Sequence, residues 1–142
     1  MIGSTVLANV IELKQQLGSM VEIKDLGAAS YYLAMEVQQK NGSLLLTQQK
    51  YISEILDRLK VPQFEKKYTP MDTRQLSAAD GNLLDDQDTA KYREMTGCLM
   101  YVCRGTRPDI AYSVGVLARY MKQPRNLHLK AAMDILKYLA AT

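Results

Sequence analysis

The sequence contains few of the residues that bind zinc or form disulfides. Its 142 residues include two cysteines, Cys98 and Cys103, and one histidine, His128. These three side chains are too few for a structural zinc site, which needs four Cys or His ligands. The two cysteines lie five residues apart in a helix-like segment and therefore point away from each other. We interpret them as buried thiols of a protein from a reducing, intracellular compartment, cytoplasm or nucleus.

Signals for secretion, membrane insertion and nucleotide binding are also absent. Residues 1–4 lack the positive charge and apolar run of a signal peptide, and no apolar run approaches the roughly 20 residues of a membrane-spanning helix. The glycine-rich phosphate loops GxxxxGKS/T and GxGxxG do not occur. His128 has no obvious serine or cysteine nucleophile, and a lone histidine beside a helix start is most often structural. We expect no membrane association and no complete catalytic site in these residues.

Composition and charge favour a globular domain with a basic last third. Apolar residues make up 47% and charged residues 23%, values typical of folded domains. Residues 1–90 carry nine Lys and Arg against twelve Asp and Glu, a balance of −3, whereas residues 91–142 carry nine against three, a balance of +6. Such asymmetry indicates an anionic partner for the last third, although a solvated helical face fits the charge equally well.

The first half of the chain alternates helix-like and strand-like patterns. Apolar residues at three- and four-residue steps predict helices, and alternating apolar residues predict strands. The pair Asn41-Gly42 is a strong signal for a hairpin between two of those strands. The predicted elements are a helix over 5–17 ended by Gly18, a strand over 30–38 with Leu33, Met35 and Val37 on one face, a strand over 44–47, and a helix over 48–59 ended by Pro62.

The second half is predicted to be helical after a polar connector. Residues 62–90 lose periodicity, and we interpret Asp85-Asp86 within them as a solvated turn and not as a metal-binding pair. The predicted helices are residues 91–104, a helix that begins at Pro108 and is capped by Thr106 or Arg107, and a last helix capped by Asn126 with Leu129, Met133, Leu136 and Leu139 facing inward. The sequence therefore predicts an α+β fold, a β-hairpin with flanking helices followed by an all-helical part.

One face of the helix over 91–104 carries residues suited to binding nucleic acid. Arg93, Gly97, Tyr101 and Arg104 recur at steps of four, four and three residues, so they share one stripe. Arginine offers forked donors to phosphate, tyrosine offers a flat face and a hydroxyl, and glycine permits close approach of a backbone. The alternative is structural, with Gly97 allowing close helix–helix packing and Tyr101 lying half in the core.

A second cationic feature is the corner after this helix, where Arg104 and Arg107 flank Gly105. A core segment has no need of cationic side chains beside its own helix end, whereas a surface that grips an anion does. Alternatively, Arg107 pairs with Asp109 inside the corner and caps neighbouring helix ends. The sequence is compatible with both interpretations.

Several blocks of the sequence resemble the reverse transcriptase region of copia-type LTR retrotransposon Pol polyproteins. They are LKQQLGSMVEIKDLG, YYLAMEVQ, LLLTQQKYISEIL, TPMDT, YREMTGCLMYVCRGTRPDIAYSVGVLARYM and ILKYL, which occur in the family's order and cover essentially the whole chain. The blocks TRPDI and LGSM with KDLG are specific enough that chance is not a serious competitor. On these motifs the chain is identified as a member of that family.

The resemblance implies which part of a polymerase the chain represents. Residues 1–61 resemble the C-terminal part of the palm with a primer-grip-like hairpin, 62–90 a connector, and 91–142 the helical thumb and connection. In the family, two metal-binding aspartates lie just upstream on a Tyr-x-Asp-Asp hairpin, and a ribonuclease H domain follows. The resemblance therefore implies no catalytic residue, metal ligand or cofactor in this chain, although the parent polymerases use Mg²⁺.

Site residues follow from the same resemblance. Met35 and Glu36 match the centre of the primer grip, which holds the 3′ end of the primer, and Ala34 stands where the family usually has glycine. Gly97 and Tyr101 match the glycine and the aromatic residue of the thumb helix that follows the minor groove of the template–primer duplex. The expected nucleic-acid-binding set is Arg93, Gly97, Tyr101, Arg104 and Arg107.

Departures from the family pattern weaken the expectation of present activity. Cys98 replaces a serine, Leu129 a tryptophan, and Ala140-Ala141 a Lys-Gly pair. We expect a reverse transcriptase fragment that is inactive alone and at most binds RNA–DNA or DNA duplexes weakly, without sequence preference. Two alternatives stay open. The chain is a protein-interaction or self-associating module without a nucleic-acid role, or an enzyme completed in trans by the missing fingers, palm and ribonuclease H parts.

Overall fold

The computed structural model describes residues 2–40, 42–62, 65–72, 76 and 81–142. It is an α+β fold, as predicted, with a three-stranded antiparallel sheet near the start and helices through the rest of the described chain. No helix within these ranges is long and apolar enough to cross a membrane. In chain order the elements are α1 (Leu7–Met20), β1 (Tyr31–Tyr32), β2 (Met35–Lys40), β3 (Ser43–Thr47), α2 (Gln49–Arg58), α3 (Asp86–Gly105), a 3₁₀ turn (Pro108–Ile110), α4 (Ala111–Ala118) and α5 (Asn126–Ala141).

The sheet has the order β1-β2-β3 and contains one turn more than the sequence predicted. The predicted strand over 30–38 is broken at Leu33 and Ala34, whose φ angles are 48° and 51°. These left-handed conformations reverse the chain, so that Tyr32 pairs with Met35 across the turn. Leu33 therefore lies in a turn and not on a strand face. Neither turn residue favours this conformation by itself, which is why alternation alone predicted one continuous strand.

The second hairpin agrees with the prediction. β2 pairs with β3 as far as Lys40 and Ser43, which leaves a two-residue loop between them. Gly42 has a φ of 77°, the left-handed conformation that such a loop requires. The other predicted loop residue, Asn41, lies outside the described residues.

α1 differs from the prediction in its end and in its packing. It continues through Gly18 to Met20, because Gly18 does not take the positive φ with which many glycines end a helix. The predicted end at Gly18 is therefore wrong. No side chain of α1 is buried within the described structure, so its predicted apolar face lies largely at the surface.

The core lies between the four helices α2, α3, α4 and α5. Ile55 of α2, Leu99 of α3 and Ile135 of α5 are each at most 1% exposed. Burying a side chain of this size contributes about 1.5–3 kcal/mol, so these helices, rather than α1 and the sheet, stabilise the fold. Cys98 is buried, Cys103 is half-buried, and both are free thiols.

α3 begins at Asp86, earlier than the predicted start at residue 91. The carboxylate of Asp85 accepts a hydrogen bond of 2.8 Å from the backbone N–H of Asp88, so Asp85 is the N-cap of the helix. Asp85 is exposed, as predicted, but it caps a helix and does not lie in a turn. Within the predicted connector, residues 63–64, 73–75 and 77–80 lie outside the described residues.

The corner after α3 agrees with the prediction, whereas the start of α5 is displaced by one residue. Pro108 begins the next helical segment, whose first turn is 3₁₀, and Arg107 is its N-cap residue. At α5 the N-cap is Arg125, so the predicted cap Asn126 is already helical. The buried face of α5 is formed by His128, Ala132, Ile135, Leu136 and Leu139, with Leu129 and Met133 half-buried.

Candidate nucleic-acid interface

The four predicted residues of the α3 stripe share one exposed face of the helix. The exposed residues are Arg93, Gly97, Tyr101 and Arg104, and the fully buried residues opposite them are Met95, Leu99 and Val102. The two faces of α3 predicted from helical spacing are therefore confirmed. Binding of nucleic acid by the exposed face stays a prediction.

Gly97 lies in open space. A Cβ atom added at this position would meet no heavy atom of the described residues within 4 Å. The alternative in which Gly97 allows close helix–helix packing is therefore wrong. Glycine inside a helix costs about 1 kcal/mol relative to alanine, and no contact within the described part of the protein offsets that cost.

Tyr101 connects the α3 stripe to the first hairpin turn. Its hydroxyl donates a hydrogen bond to the backbone carbonyl of Leu33, and its ring lies edge-on to the ring of Tyr51 in α2, with the ring centroids 5.1 Å apart. The side chain remains 38% exposed, so the half-core alternative for Tyr101 is correct only in part. Burial, with a hydrogen bond to the thiol of Cys98, raises the pKa of Tyr51 to about 12 and keeps this neighbour uncharged. The β1–β2 turn and the α3 stripe thus adjoin.

The two arginines of the stripe differ in what their side chains contact. Nε of Arg93 donates to the backbone carbonyl of Met121 at 2.9 Å, so the guanidinium binds the chain just beyond the end of α4. Arg104 is exposed in the last turn of α3 and has no ion pair or side-chain hydrogen bond with the described residues. Of the two, Arg104 is available to an external anion.

Arg107 is held inside the corner. Its Nε and Nη2 donate to the two carboxylate oxygens of Asp109 at 3.0 and 2.8 Å, and its guanidinium lies 5.4 Å from the centroid of the Tyr138 ring. The paired hydrogen bonds raise the pKa of Arg107 and lower the pKa of Asp109. The pairing considered as the alternative for Arg107 is therefore observed, and its contact with nucleic acid stays a prediction.

No sequence pattern indicated Gln48, the residue that explains the glycine of this corner. Its side chain is 1% exposed, and its Oε1 accepts a hydrogen bond of 3.0 Å from the hydroxyl of Thr106. A Cβ atom at Gly105 would lie 2.6 Å from Cδ of Gln48, closer than non-bonded carbons approach. A larger residue at position 105 would therefore have to displace the end of the buried Gln48 side chain. Glutamine is mostly a surface residue. The spacing of apolar residues therefore could not have predicted that Gln48 is buried.

The primer-grip-like pair lies at the start of β2. Met35 and Glu36 are both half-buried. The carboxylate of Glu36 accepts hydrogen bonds from the hydroxyl of Thr47 at 2.7 Å and from the backbone N–H of Lys50 at 2.9 Å. These bonds, chiefly the one from Thr47, lower the pKa of Glu36. Glu36 therefore joins β2, β3 and the first turn of α2, and its contact with a primer strand stays a prediction.

Glu36→Gln is expected to lower the free energy of unfolding by about 1 kcal/mol at pH 7, because an amide accepts these hydrogen bonds less strongly than a carboxylate. The pKa of Glu36 is lower in the folded than in the unfolded chain. The contribution of Glu36 to stability is therefore complete at pH values above the pKa of the unfolded chain, about 4.3. It disappears as the pH falls through the lower pKa of the folded chain. Urea unfolding of both proteins at pH 7 and pH 3 should show a smaller difference at pH 3.

Glu22→Gln is the control for this prediction, because it removes the same charge from an exposed residue in the loop after α1. It is expected to change stability by less than about 0.5 kcal/mol. Equal losses in the Glu22 and Glu36 variants would show that Glu36 does not cap α2.

The described residues form no metal site. Within them, no three His, Cys, Asp or Glu side chains lie close enough together to hold a metal ion.

Comparison with known proteins identifies the family. A family model described as reverse transcriptase (RNA-dependent DNA polymerase) matches residues 1–73. The transposon Ty5-1 protein YCL074W of Saccharomyces cerevisiae is 31% identical over 92% of this chain and 42% of its own length. The retrovirus-related Pol polyproteins from transposon TNT 1-94 of Nicotiana tabacum and transposon RE1 of Arabidopsis thaliana are 31% and 34% identical over 94% and 97% of this chain. No solved structure matches it significantly.

The chain spans less than half of the yeast relative, and only 10% and 9% of the two plant polyproteins. The family model nevertheless covers just over half of this chain, and the similarity to all three relatives extends over nearly all of it. The chain therefore belongs to the reverse transcriptase family and represents the reverse transcriptase region of copia-type LTR retrotransposon Pol polyproteins.

Proposed function

We propose that this chain is the palm–thumb part of a reverse transcriptase, with a palm-derived hairpin region over 1–61, a connector from residue 62 to the N-cap Asp85, and thumb-like helices that begin with α3 at Asp86. Its proposed role is to hold an RNA–DNA or DNA duplex weakly and without reading its sequence. The observation that carries this role is Gly97, an exposed glycine in the middle of a helix, with open space above it and Tyr101 and Arg104 on the same stripe.

The chemistry of the stripe fits the minor groove of an A-like duplex. That groove is wide and shallow and presents sugar hydroxyls beside the phosphates. Gly97 lets the backbone of α3 come close to the sugars, and Arg104 offers forked donors to a phosphate. Arg93 and Tyr101 make hydrogen bonds to other segments. Their proposed role is to hold those segments in position beside α3.

The first hairpin turn supports the same surface. The hydroxyl of Tyr101 holds the carbonyl of Leu33 against α3, and Met35 and Glu36 follow directly after that turn. Ala34, which replaces the glycine of the family, still has a φ of 51°, a conformation that glycine adopts at little cost. The turn thus keeps a glycine-like backbone despite the substitution, which favours a retained primer-grip geometry.

Fluorescence anisotropy with a labelled RNA–DNA hybrid tests the proposed binding at low and at moderate salt. We expect a Kd of about 10⁻⁴–10⁻⁶ M near physiological salt, tighter binding at low salt, and similar values for unrelated sequences. Unchanged anisotropy at both salt concentrations would overturn the binding role.

Gly97→Leu is expected to weaken binding at least about tenfold, because the side chain blocks the approach of the sugars to the helix backbone. A Cβ atom at residue 97 meets no heavy atom of the described residues within 4 Å, and leucine favours a helix over glycine by roughly 0.5–1 kcal/mol, so the variant should unfold at higher urea than wild type. A loss of affinity in a stabilised protein cannot be caused by unfolding. The same anisotropy titration measures the change.

Gly115→Leu is the matched control, since Gly115 is an exposed helical glycine of α4 with equally open space around it. We expect this variant to bind as wild type does. Equal affinities of wild type and the Gly97 variant would contradict the assignment of the α3 stripe.

Polymerisation is proposed for the parent protein and not for this chain alone. Nucleotidyl transfer uses metal ions held by carboxylates, and Mg²⁺ has this role in the parent family. We propose that the chain acts inside the cell together with the fingers, remaining palm and ribonuclease H parts of a Pol polyprotein. Primer extension that occurs only when an upstream fragment is added would support completion in trans. Primer extension by the chain alone would overturn the proposed inactivity.

A second candidate function is a protein-interaction module without a nucleic-acid role. The first third of the described chain exposes large apolar side chains, among them Leu7 at 73%, Met20 at 77% and Leu26 at 83%. Exposed apolar surface of this kind marks binding sites when it is contiguous. A stable oligomer in light scattering, together with unchanged anisotropy of the hybrid, would favour this candidate.

A further inference from the structure

The outer edge of β3 is open and apolar. Within the described residues the sheet ends at β3, Ser43–Thr47, which pairs with β2 on one side only. Leu44, Leu45 and Leu46 are 62%, 55% and 43% exposed. An edge strand without a charged residue or a proline lacks the features that normally prevent pairing with another strand.

The main-chain groups of Leu44 and Leu46 point away from the sheet. Val37 of β2 donates its N–H to the carbonyl of Ser30, on the β1 side of the strand. Its cross-strand neighbour Leu46 therefore belongs to a pair without hydrogen bonds between β2 and β3, and it directs its N–H and C=O outward. Leu44, two residues earlier, has the same orientation.

The sequence of β3 is nearly the same in both directions, with a serine, three leucines and a threonine. When two copies pair antiparallel about Leu45, Leu44 lies opposite Leu46 of the other copy, and Ser43 lies opposite Thr47. The outward groups of Leu44 and Leu46 then form the hydrogen-bonded pairs, and the two Leu45 side chains meet on the symmetry axis. Each facing pair is leucine with leucine or hydroxyl with hydroxyl.

We propose that two copies of this chain associate through antiparallel pairing of their β3 strands, which joins two three-stranded sheets into one sheet of six strands. This proposal rests on the second candidate function, the protein-interaction module, and names a second copy of the chain as the partner. It does not require nucleic-acid binding. A second copy is the favoured partner because the register matches itself and β3 has no charge to repel its copy. One strand pair buries less than the roughly 1,200 Å² of a stable interface, so the dimer is weak and depends on concentration.

Sedimentation velocity over a range of protein concentrations tests the pairing. The wild-type chain is expected to shift from monomer to dimer as its concentration rises. Leu45→Lys and Leu45→Glu are each expected to raise the dimer dissociation constant at least about tenfold, because like charges meet on the axis. An equimolar mixture of the two variants is expected to regain association, since opposite charges then face each other.

Leu83→Lys is the matched control, because Leu83 is 60% exposed, close to the 55% exposure of Leu45, and lies outside β3. It is expected to dimerise as wild type does. Leu45 is itself largely exposed in the monomer, so circular dichroism should show that both lysine variants fold normally.

Three outcomes would overturn the dimer. They are a wild-type chain that stays monomeric at every concentration, a dimer that survives Leu45→Lys, and a variant mixture that does not associate. The second outcome would still be compatible with an interaction module, but one that associates through a surface other than β3. Hybrid anisotropy of Leu45→Lys reports on nucleic-acid binding separately, so failure of one function is distinguishable from failure of the other.

Discussion

Gly105→Ala is expected to lower the free energy of unfolding by about 1–2 kcal/mol, even though alanine favours a helix over glycine by about 1 kcal/mol. The added methyl group would lie 2.6 Å from Cδ of Gln48, and overpacking of this kind costs about 1–3 kcal/mol. Gln48 is 1% exposed and hydrogen-bonded to Thr106, so it cannot move aside without losing that bond. Urea unfolding should show a lower midpoint with an unchanged slope.

Two further variants separate this contact from a general effect of alanine. Gly97→Ala makes the same change in the same helix where space is open, and it is expected to raise stability by up to about 1 kcal/mol. In a Gln48→Ala background the clash is absent, so adding Gly105→Ala should no longer lower stability. An equal cost in both backgrounds would show that Gln48 is not the reason for the glycine.

Helical periodicity predicted which side of α3 is buried but not what its exposed arginines contact. Buried residues recur every three or four positions on any helix that packs against a core, so Leu99 and Arg93 could be assigned to opposite faces. The carbonyl that binds Arg93 belongs to Met121, which follows α4 and is brought near only by the packing of that helix. Arg107 and Asp109 are close in sequence, and their pairing could therefore be anticipated.

The residues in the two hairpin turns explain why one turn could be predicted from the sequence and the other could not. The loop at Gly42 was predictable because glycine favours the left-handed conformation that a two-residue loop needs. Leu33 and Ala34 adopt the same region without favouring it, and the hydroxyl of Tyr101 holds their turn from a distant helix. No local pattern contains that contact. The cap at Asp85 does have a local signal, an aspartate just before a helix, which the surrounding polar residues conceal.

His128→Ala is expected to lower the free energy of unfolding by about 3 kcal/mol. The imidazole is fully buried, and it stacks on Tyr120 with ring centroids 3.9 Å apart. Its Nδ1 accepts a hydrogen bond of 2.9 Å from the backbone N–H of Arg125, at the start of α5. Alanine leaves a cavity beside Tyr120, and truncating a buried aromatic residue typically costs about 3–5 kcal/mol. The prediction of a structural histidine is in agreement with this geometry.

Two further substitutions separate the two causes of the stability loss expected for His128→Ala, the missing stacked ring and the missing hydrogen bond from Arg125. His128→Asn keeps an acceptor near the position of Nδ1 but removes the stacked ring, so it should cost about 2 kcal/mol. His128→Phe keeps a ring against Tyr120 but cannot accept the bond from Arg125, so it should cost about 1 kcal/mol. Urea unfolding of the three variants, fitted with a common slope, measures these values. Because α5 packs against α2, α3 and α4, a loss below about 1 kcal/mol for His128→Ala would mean that this ring does not hold α5 in the core.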